Sequence, residues 1–200
     1  MPRKTSTARL SMAVETLEVR RLLSAALNSA GVLIVTGDPV NANTISVGIS
    51  QDGTSVDVAE NSEAVQSFDV TQVKRVVIIG GAGNDTLTID QSNNPFDIPA
   101  KIFGGAGDDS MTGGGSHEFI SGGSGNDTIV AGDGADTVDC GSGNDSAIGG
   151  TGDDSIFGGK GADSLSSGDG NDYFNGGQGK DVITAGSGSD TLYGGNAAMT

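Results

Sequence analysis

A nine-residue phrase, repeated without insertion, constrains this chain more than any other feature. In register the units read GGAGDDSMT (104–112), GGGSHEFIS (113–121), GGSGNDTIV (122–130), AGDGADTVD (131–139), CGSGNDSAI (140–148), GGTGDDSIF (149–157), GGKGADSLS (158–166), SGDGNDYFN (167–175), GGQGKDVIT (176–184) and AGSGSDTLY (185–193). A fragment, GGNAAMT, follows them, and an outlying copy, GGAGNDTLT, stands at 80–88. Ten units in one fixed register make the period a structural rule, so each unit must occupy an equivalent place in a stack.

Each position of the unit has its own chemistry. Gly fills the second position in all ten units and the fourth in nine, with Ser116 the exception, which predicts a turn over the first half of the unit where a Cβ would hinder the backbone. The eighth position is apolar throughout: Met111, Ile120, Ile129, Val138, Ala147, Ile156, Leu165, Phe174, Ile183 and Leu192. Flanked by Thr, Ser and other strand formers, it predicts a very short strand that buries one side chain in three, with two such strands per coil. The sixth position carries Asp109, Glu118, Asp127, Asp136, Asp145, Asp154, Asp163, Asp172, Asp181 and Asp190. A carboxylate held in a turn with exposed carbonyls is oxygen-ligand chemistry for a hard cation, and calcium, with its flexible coordination, suits it best.

The units match G-G-x-G-x-D-x-U-x, and over the C-terminal part of its length the chain closely resembles the RTX, or hemolysin-type, calcium-binding repeat family. The resemblance implies an all-β fold: a parallel β-roll with calcium between turns stacked one coil apart, held by aspartates and loop carbonyls of both. Carried onto this sequence, the implied metal ligands are Asp85, Asp109, Asp127, Asp136, Asp145, Asp154, Asp163, Asp172, Asp181 and Asp190. The implied carbonyls lie near Gly105, Gly107, Gly123, Gly125, Gly132, Gly134, Gly141, Gly143, Gly150, Gly152, Gly159, Gly161, Gly168, Gly170, Gly177 and Gly179. Residues 80–200 form this roll.

Composition agrees with a thin-cored solenoid. The 200 residues include 35 Gly, 6 Phe, 2 Tyr and no Trp, too few large apolar side chains for a thick core. Of the net charge of −16, residues 80–200 carry 18 acids against 3 bases, whereas residues 1–79 carry 8 acids against 7 bases. So acidic a half argues for cations as partners and against nucleic acid or an anionic membrane.

Residues 1–27 carry five bases and two acids, and from Ser11 their apolar spacing suits a short helix. No uncharged run there is long enough to cross a membrane. Arg20 and Arg21 interrupt any signal-peptide apolar core. Leu17-Glu18-Val19-Arg20-Arg21-Leu22-Leu23 is similar to the LEPR-XLL segment of predicted extracellular bacterial proteins, with Val19 where that motif has Pro, and we read 1–27 as an export-associated leader. Residues 32–35, 44–49, 55–58 and 73–79 then read as strands, with a hairpin turn at 51–54. We read 28–79 as a β cap over the open first coil, whose edge would otherwise pair with other chains. The copy at 80–88 precedes the next by 24 residues, so 89–103 is expected to form one degenerate coil with Ile102 inward and a bulge around Asn93-Asn94-Pro95, weakening calcium binding at Asp85.

No catalytic constellation accompanies the repeats. His117-Glu118 begins like HExxH, but Ser121 takes the second histidine position and the chain has 1 His. No G-x-S-x-G elbow, G-x-G-x-x-G loop or P-loop is present. Asp108-Asp109 and Asp153-Asp154 read as a ligand with a solvated neighbour rather than as glycosidase pairs. Cys140, the 1 Cys, reads as a tolerated small residue at a glycine position. Phe119, Phe157, Tyr173 and Tyr193 flank the buried position and should face outward.

The expected function is calcium binding, without catalysis, by a secreted or cell-surface roll that folds on meeting the metal. Same-edge carboxylates one strand spacing apart, about 4.8 Å, repel by roughly 3.5 kcal/mol per pair at an effective dielectric of about 20. Metal binding free energy then becomes folding free energy. Counting complete same-edge pairs of Asp gives about seven strong sites, with Glu118 impairing one and Met199 another. The rival readings are an accessory module of a truncated RTX enzyme or toxin, and a calcium-dependent cell-surface adhesion protein.

Overall fold

The computed structural model describes residues 24–61 and 66–196. The helix expected from Ser11, the LEPR-XLL-like run and Met199 lie outside them. The N-terminal strands are β1 (Ser24–Leu27), β2 (Val32–Thr36), β3 (Thr44–Ile49), β4 (Ser55–Glu60) and β5 (Gln66–Asp69). The chain then winds alternately through two sheets. One receives β6 (Arg75–Ala82), β8 (Ala100–Ala106), β10 (Phe119–Ser124), β12 (Thr137–Ser142), β14 (Ser155–Lys160), β16 (Tyr173–Gln178) and β18 (Thr191–Tyr193). The other receives β7 (Thr86–Asp90), β9 (Ser110–Thr112), β11 (Thr128–Asp133), β13 (Ser146–Thr151), β15 (Ser164–Ser166) and β17 (Val182–Thr184). All of these pairings are parallel, and Ile120 faces Val138 as Ile129 faces Ala147, so two units make one coil of the roll.

The core lies between the sheets as two facing files. Ile78, Ile102, Ile120, Val138, Ile156 and Phe174 line one sheet, and Ile45, Leu87, Met111, Ile129, Ala147 and Leu165 the other, all buried. The eighth position therefore points inward as expected until the last coil, where Leu192 is 48% exposed because no further coil covers it among the described residues. The strands are longer than the sequence predicts. In β11, for example, the strand begins at the seventh position and continues through the Ala-Gly pair into the next unit, so the first half of the unit is not all turn. The first position also faces inward, where Ala131 and Cys140 are buried, so inward positions alternate along a strand rather than falling one in three.

Parallel pairing reaches back beyond the repeats, with β2 against β6 and β3 against β7. The N-terminal end is finished by antiparallel strands: β1 on β2 in one sheet, and β4 then β5 beyond β3 in the other. These strands extend both sheets beyond the first coil and leave β1 and β5 outermost at that end. Between β7 and β8 the surplus residues loop outward. Phe96 returns to the core, fully buried, and Asn94 Nδ2 donates to Ser50 O at 2.7 Å.

The outward aromatics gather on the sheet that holds β8 to β18. Phe103 meets Phe119 with ring centroids 5.8 Å apart, and Phe157, Tyr173 and Tyr193 follow one another at 5.7 and 5.5 Å.

Candidate metal centre

The turns stack with little space between coils, and this explains the glycines. Gly123 and Gly125 sit at φ 110° and 125°, a region where an L side chain is strained. A methyl group on either would also run into the carbonyl of Gly105 or Gly107, one coil below. In the unit that carries Ser116 the second-position Gly114 departs from this geometry, since it is not at positive φ; Gly168 and Gly186 share that departure.

The stack collects the sixth-position acids into two files, one on each edge of the roll. On one edge the carboxylate Oδ1 atoms of Asp109, Asp127, Asp145, Asp163 and Asp181 each accept a hydrogen bond from the backbone N–H of the acid one coil earlier, at 2.8 to 3.1 Å. On the other edge Asp136, Asp154, Asp172 and Asp190 accept in the same way, from Glu118, Asp136, Asp154 and Asp172, at 2.7 to 3.0 Å. Despite the 24-residue spacing, Asp85 takes its place directly before Asp109. Most of these acids are buried, and Asp181 and Asp190 are partly so.

The second carboxylate oxygen is unsatisfied. Oδ2 of Asp85, Asp109, Asp127, Asp136, Asp145, Asp163, Asp172 and Asp181, and Oε1 of Glu118, are buried without a hydrogen-bond partner. A carbonyl of the next coil lies beside several of them. A methyl group on Gly104 would meet both Asp109 Oδ2 and, at 2.7 Å, the Gly122 carbonyl, and one on Gly158 would meet Asp163 Oδ2 at 2.5 Å and the Gly176 carbonyl at 2.6 Å. Orphaned buried oxygens are expensive, and oxygens that converge without a donor are the ligand set of a hard cation. Among the described residues no three His, Cys, Asp or Glu side chains converge on one point. A cation held here would take two carboxylates one coil apart and complete its shell with carbonyls, so the residues fit calcium. These carbonyls belong to first-position residues, whereas the sequence reading looked to the carbonyls of the second and fourth positions.

Electrostatics tell the same story. Burial, reinforced by the carboxylates one coil away, pushes Asp109 and Asp136 up to about 6 and Asp127 and Glu118 up to about 7. Burial also raises Asp85, Asp145, Asp154 and Asp163 above the usual carboxylate range. Asp154 differs from its neighbours, because Ser167 Oγ donates to its Oδ2 at 2.9 Å and occupies the place that the next coil's carbonyl takes elsewhere. Cys140 is buried beside the Asp145 file, and burial followed by that carboxylate pushes its thiol far above the usual range.

The fifth position is more than a solvated neighbour. Asn84, Asp108, Asn126 and Asn144 each accept, through Oδ1, the backbone N–H of the fifth residue one coil later, at 2.7 to 2.9 Å. Asp153 and Asn171 do so on the other edge. Fifth-position side chains thus bond forward along the roll and sixth-position side chains backward. The recurrence of Asn and Asp at the fifth position was the available signal.

Comparison with known families gives one match. The model of the RTX calcium-binding nonapeptide repeat matches residues 75–93, 101–117, 112–147, 140–174, 148–183 and 166–198, more than half of the chain. No curated protein and no solved structure matches it. The matched residues contain both files of buried acids, and the chain belongs to the family of RTX calcium-binding nonapeptide repeats.

Proposed function

We propose that this protein is a secreted or cell-surface calcium-binding roll whose repeat region folds when it meets the metal, and that it works by binding rather than by catalysis. The observation that carries this reading is the file of buried carboxylate oxygens without partners on each edge. Without a cation, each coil added to the roll buries another unpaired charge beside the last; with one, that cost becomes a binding site. Asp85, Asp109, Asp127, Asp136, Asp145, Asp154, Asp163, Asp172, Asp181 and Asp190 are the proposed carboxylate ligands, joined by carbonyls of the glycine turns. Adding the Asp85–Asp109 pair to the four later pairs of the first edge and the three all-aspartate pairs of the second raises the expected load from about seven ions to about eight. Residues 1–27 serve as leader, 28–79 as cap and 80–200 as roll.

The affinity typical of extracellular calcium modules supports that location. Extracellular calcium modules bind at roughly 10⁻⁴ to 10⁻³ M, which leaves such a roll metal-free inside a cell and loaded outside it. Titrating calcium into chelated protein should give a cooperative gain of β circular dichroism and a fall in hydrodynamic radius. Magnesium, bound to rigid octahedral geometry and slow to shed water, should do far less. A chelated sample in which the repeat strands are already fully formed would refute the proposal.

A further inference from the structure

The roll begins with a turn that is not a repeat. Residues 37–43, Gly-Asp-Pro-Val-Asn-Ala-Asn, join β2 to β3, and the registers Thr36 to Ile79 and Thr44 to Thr86 place Gly37 level with Gly80 and Asn43 level with Asp85. Asn43 makes the sixth-position bonds of the ladder: its N–H donates to Asp85 Oδ1 at 2.6 Å, and its carbonyl accepts from Thr86 N–H at 2.7 Å, as the Asp85 carbonyl accepts from Ser110. A methyl group on Gly37 would strike the Asn43 carboxamide, as one on Gly80 would strike the Asp85 carboxylate. The first turn therefore has the repeat's architecture with one residue more and an amide in place of the acid.

That amide is buried, and four oxygens converge on its nitrogen. Asn43 Nδ2 lies 2.8 Å from Asp85 Oδ1, 2.8 Å from the Asn41 carbonyl, 3.1 Å from the Asp38 carbonyl and 3.2 Å from the Gly80 carbonyl. The Gly80 carbonyl is the first-position carbonyl of the next coil, the counterpart of the Gly122 carbonyl beside Asp109. An amide nitrogen has two hydrogens, so four oxygens around it make a cluster more like a cation's shell than an ordinary amide's. The side-chain oxygen accepts from Asp38 N–H at 2.7 Å, which fixes the amide's orientation. From Asp85 to Asp181, the later coils of this edge place a carboxylate oxygen where this coil places a donor.

We propose that Asn43 stands in for the cation of the first turn, so that β2, β3, β6 and β7 form a metal-independent first coil on which the calcium-dependent coils build toward the C-terminus. The inference rests on the calcium reading above. The test is amide hydrogen exchange on the full chain, in chelator and in millimolar calcium chloride. In chelator, amides at 33–35, 45–47 and 76–78 should exchange at least about tenfold more slowly than those of Ile120, Ile129 and Val138. Equal exchange would overturn the proposal. Asn43→Asp puts a carboxylate oxygen against Asp85, so in chelator it should lose the first-coil protection; calcium should restore that protection and bind with one more ion per chain. Retention of wild-type protection by Asn43→Asp without metal, or failure of calcium to restore it, would also overturn it. If the wild-type repeats gain no protection from calcium, the calcium reading fails, and the chelator comparison still judges the first coil by itself.

Discussion

A carboxylate in this roll has two oxygens with different tasks. Oδ1 continues a hydrogen-bond ladder and, in the aspartates from Asp85 to Asp181 except Asp154, Oδ2 is buried without a donor, so truncating an acid removes a structural bond and a proposed metal ligand together. Asp145→Ala should therefore raise the calcium needed for half-folding by about three- to tenfold. Glu118→Ala should raise it much less, because the turn before Glu118 already departs from the repeat's backbone and its Oε2 is tied to Gly114 N–H at 3.2 Å. Calcium titrations of the two variants followed by circular dichroism decide it: equal losses would mean the second edge is as well built as the first. Gly123→Ala places a Cβ at a φ of 110° against the Gly105 carbonyl and should cost at least about 1–2 kcal/mol, read as a lower Tm of the calcium-loaded protein.

Each strand has an inner file that holds the roll together and an outer file that does not. Ile120, fully buried between Ile102 and Val138, should lose about 2–5 kcal/mol of calcium-loaded stability on substitution by Ala. Phe157, on the outer face with its ring centroid 5.7 Å from that of Tyr173, should lose about 1 kcal/mol or less. Denaturant unfolding in saturating calcium separates the two, and a comparable loss at both positions would contradict the inward assignment of the eighth residue. That assignment was legible in the sequence because a single apolar position recurs every nine residues. The inward first position was not, because Gly has no side chain to declare a direction, and only Ala131, Cys140, Ser167 and Ala185 carry one there.

For the whole molecule, protons and calcium compete for one set of oxygens. The raised acids bind protons more tightly folded than unfolded, so below the unfolded carboxylate range their shifts leave the metal-free roll unpenalised. Between that range and the folded values of about 6 to 7, stability falls as pH rises. Chelated protein should then gain β structure on acidification from pH 7 toward pH 4, and calcium affinity should weaken over the same window with proton release on binding. A chelated sample that unfolds further on acidification would contradict the sign of those shifts.

By itself the sequence determined the period, the two-unit coil, the inward eighth residue and the acids that share an edge, because these are local regularities that a fixed repeat imposes on any stack. Only the tertiary structure decided the rest. The opposed ladders of fifth and sixth residues join atoms one coil apart, and no single unit contains both partners. Asp85 keeps its place before Asp109 because the surplus residues between them loop outward, a choice that spacing alone does not make. Asn43 meets Asp85 across 42 residues and lies in no repeat. Its role arises from the parallel pairing of β3 with β7, a long-range register that leaves no local pattern in the sequence.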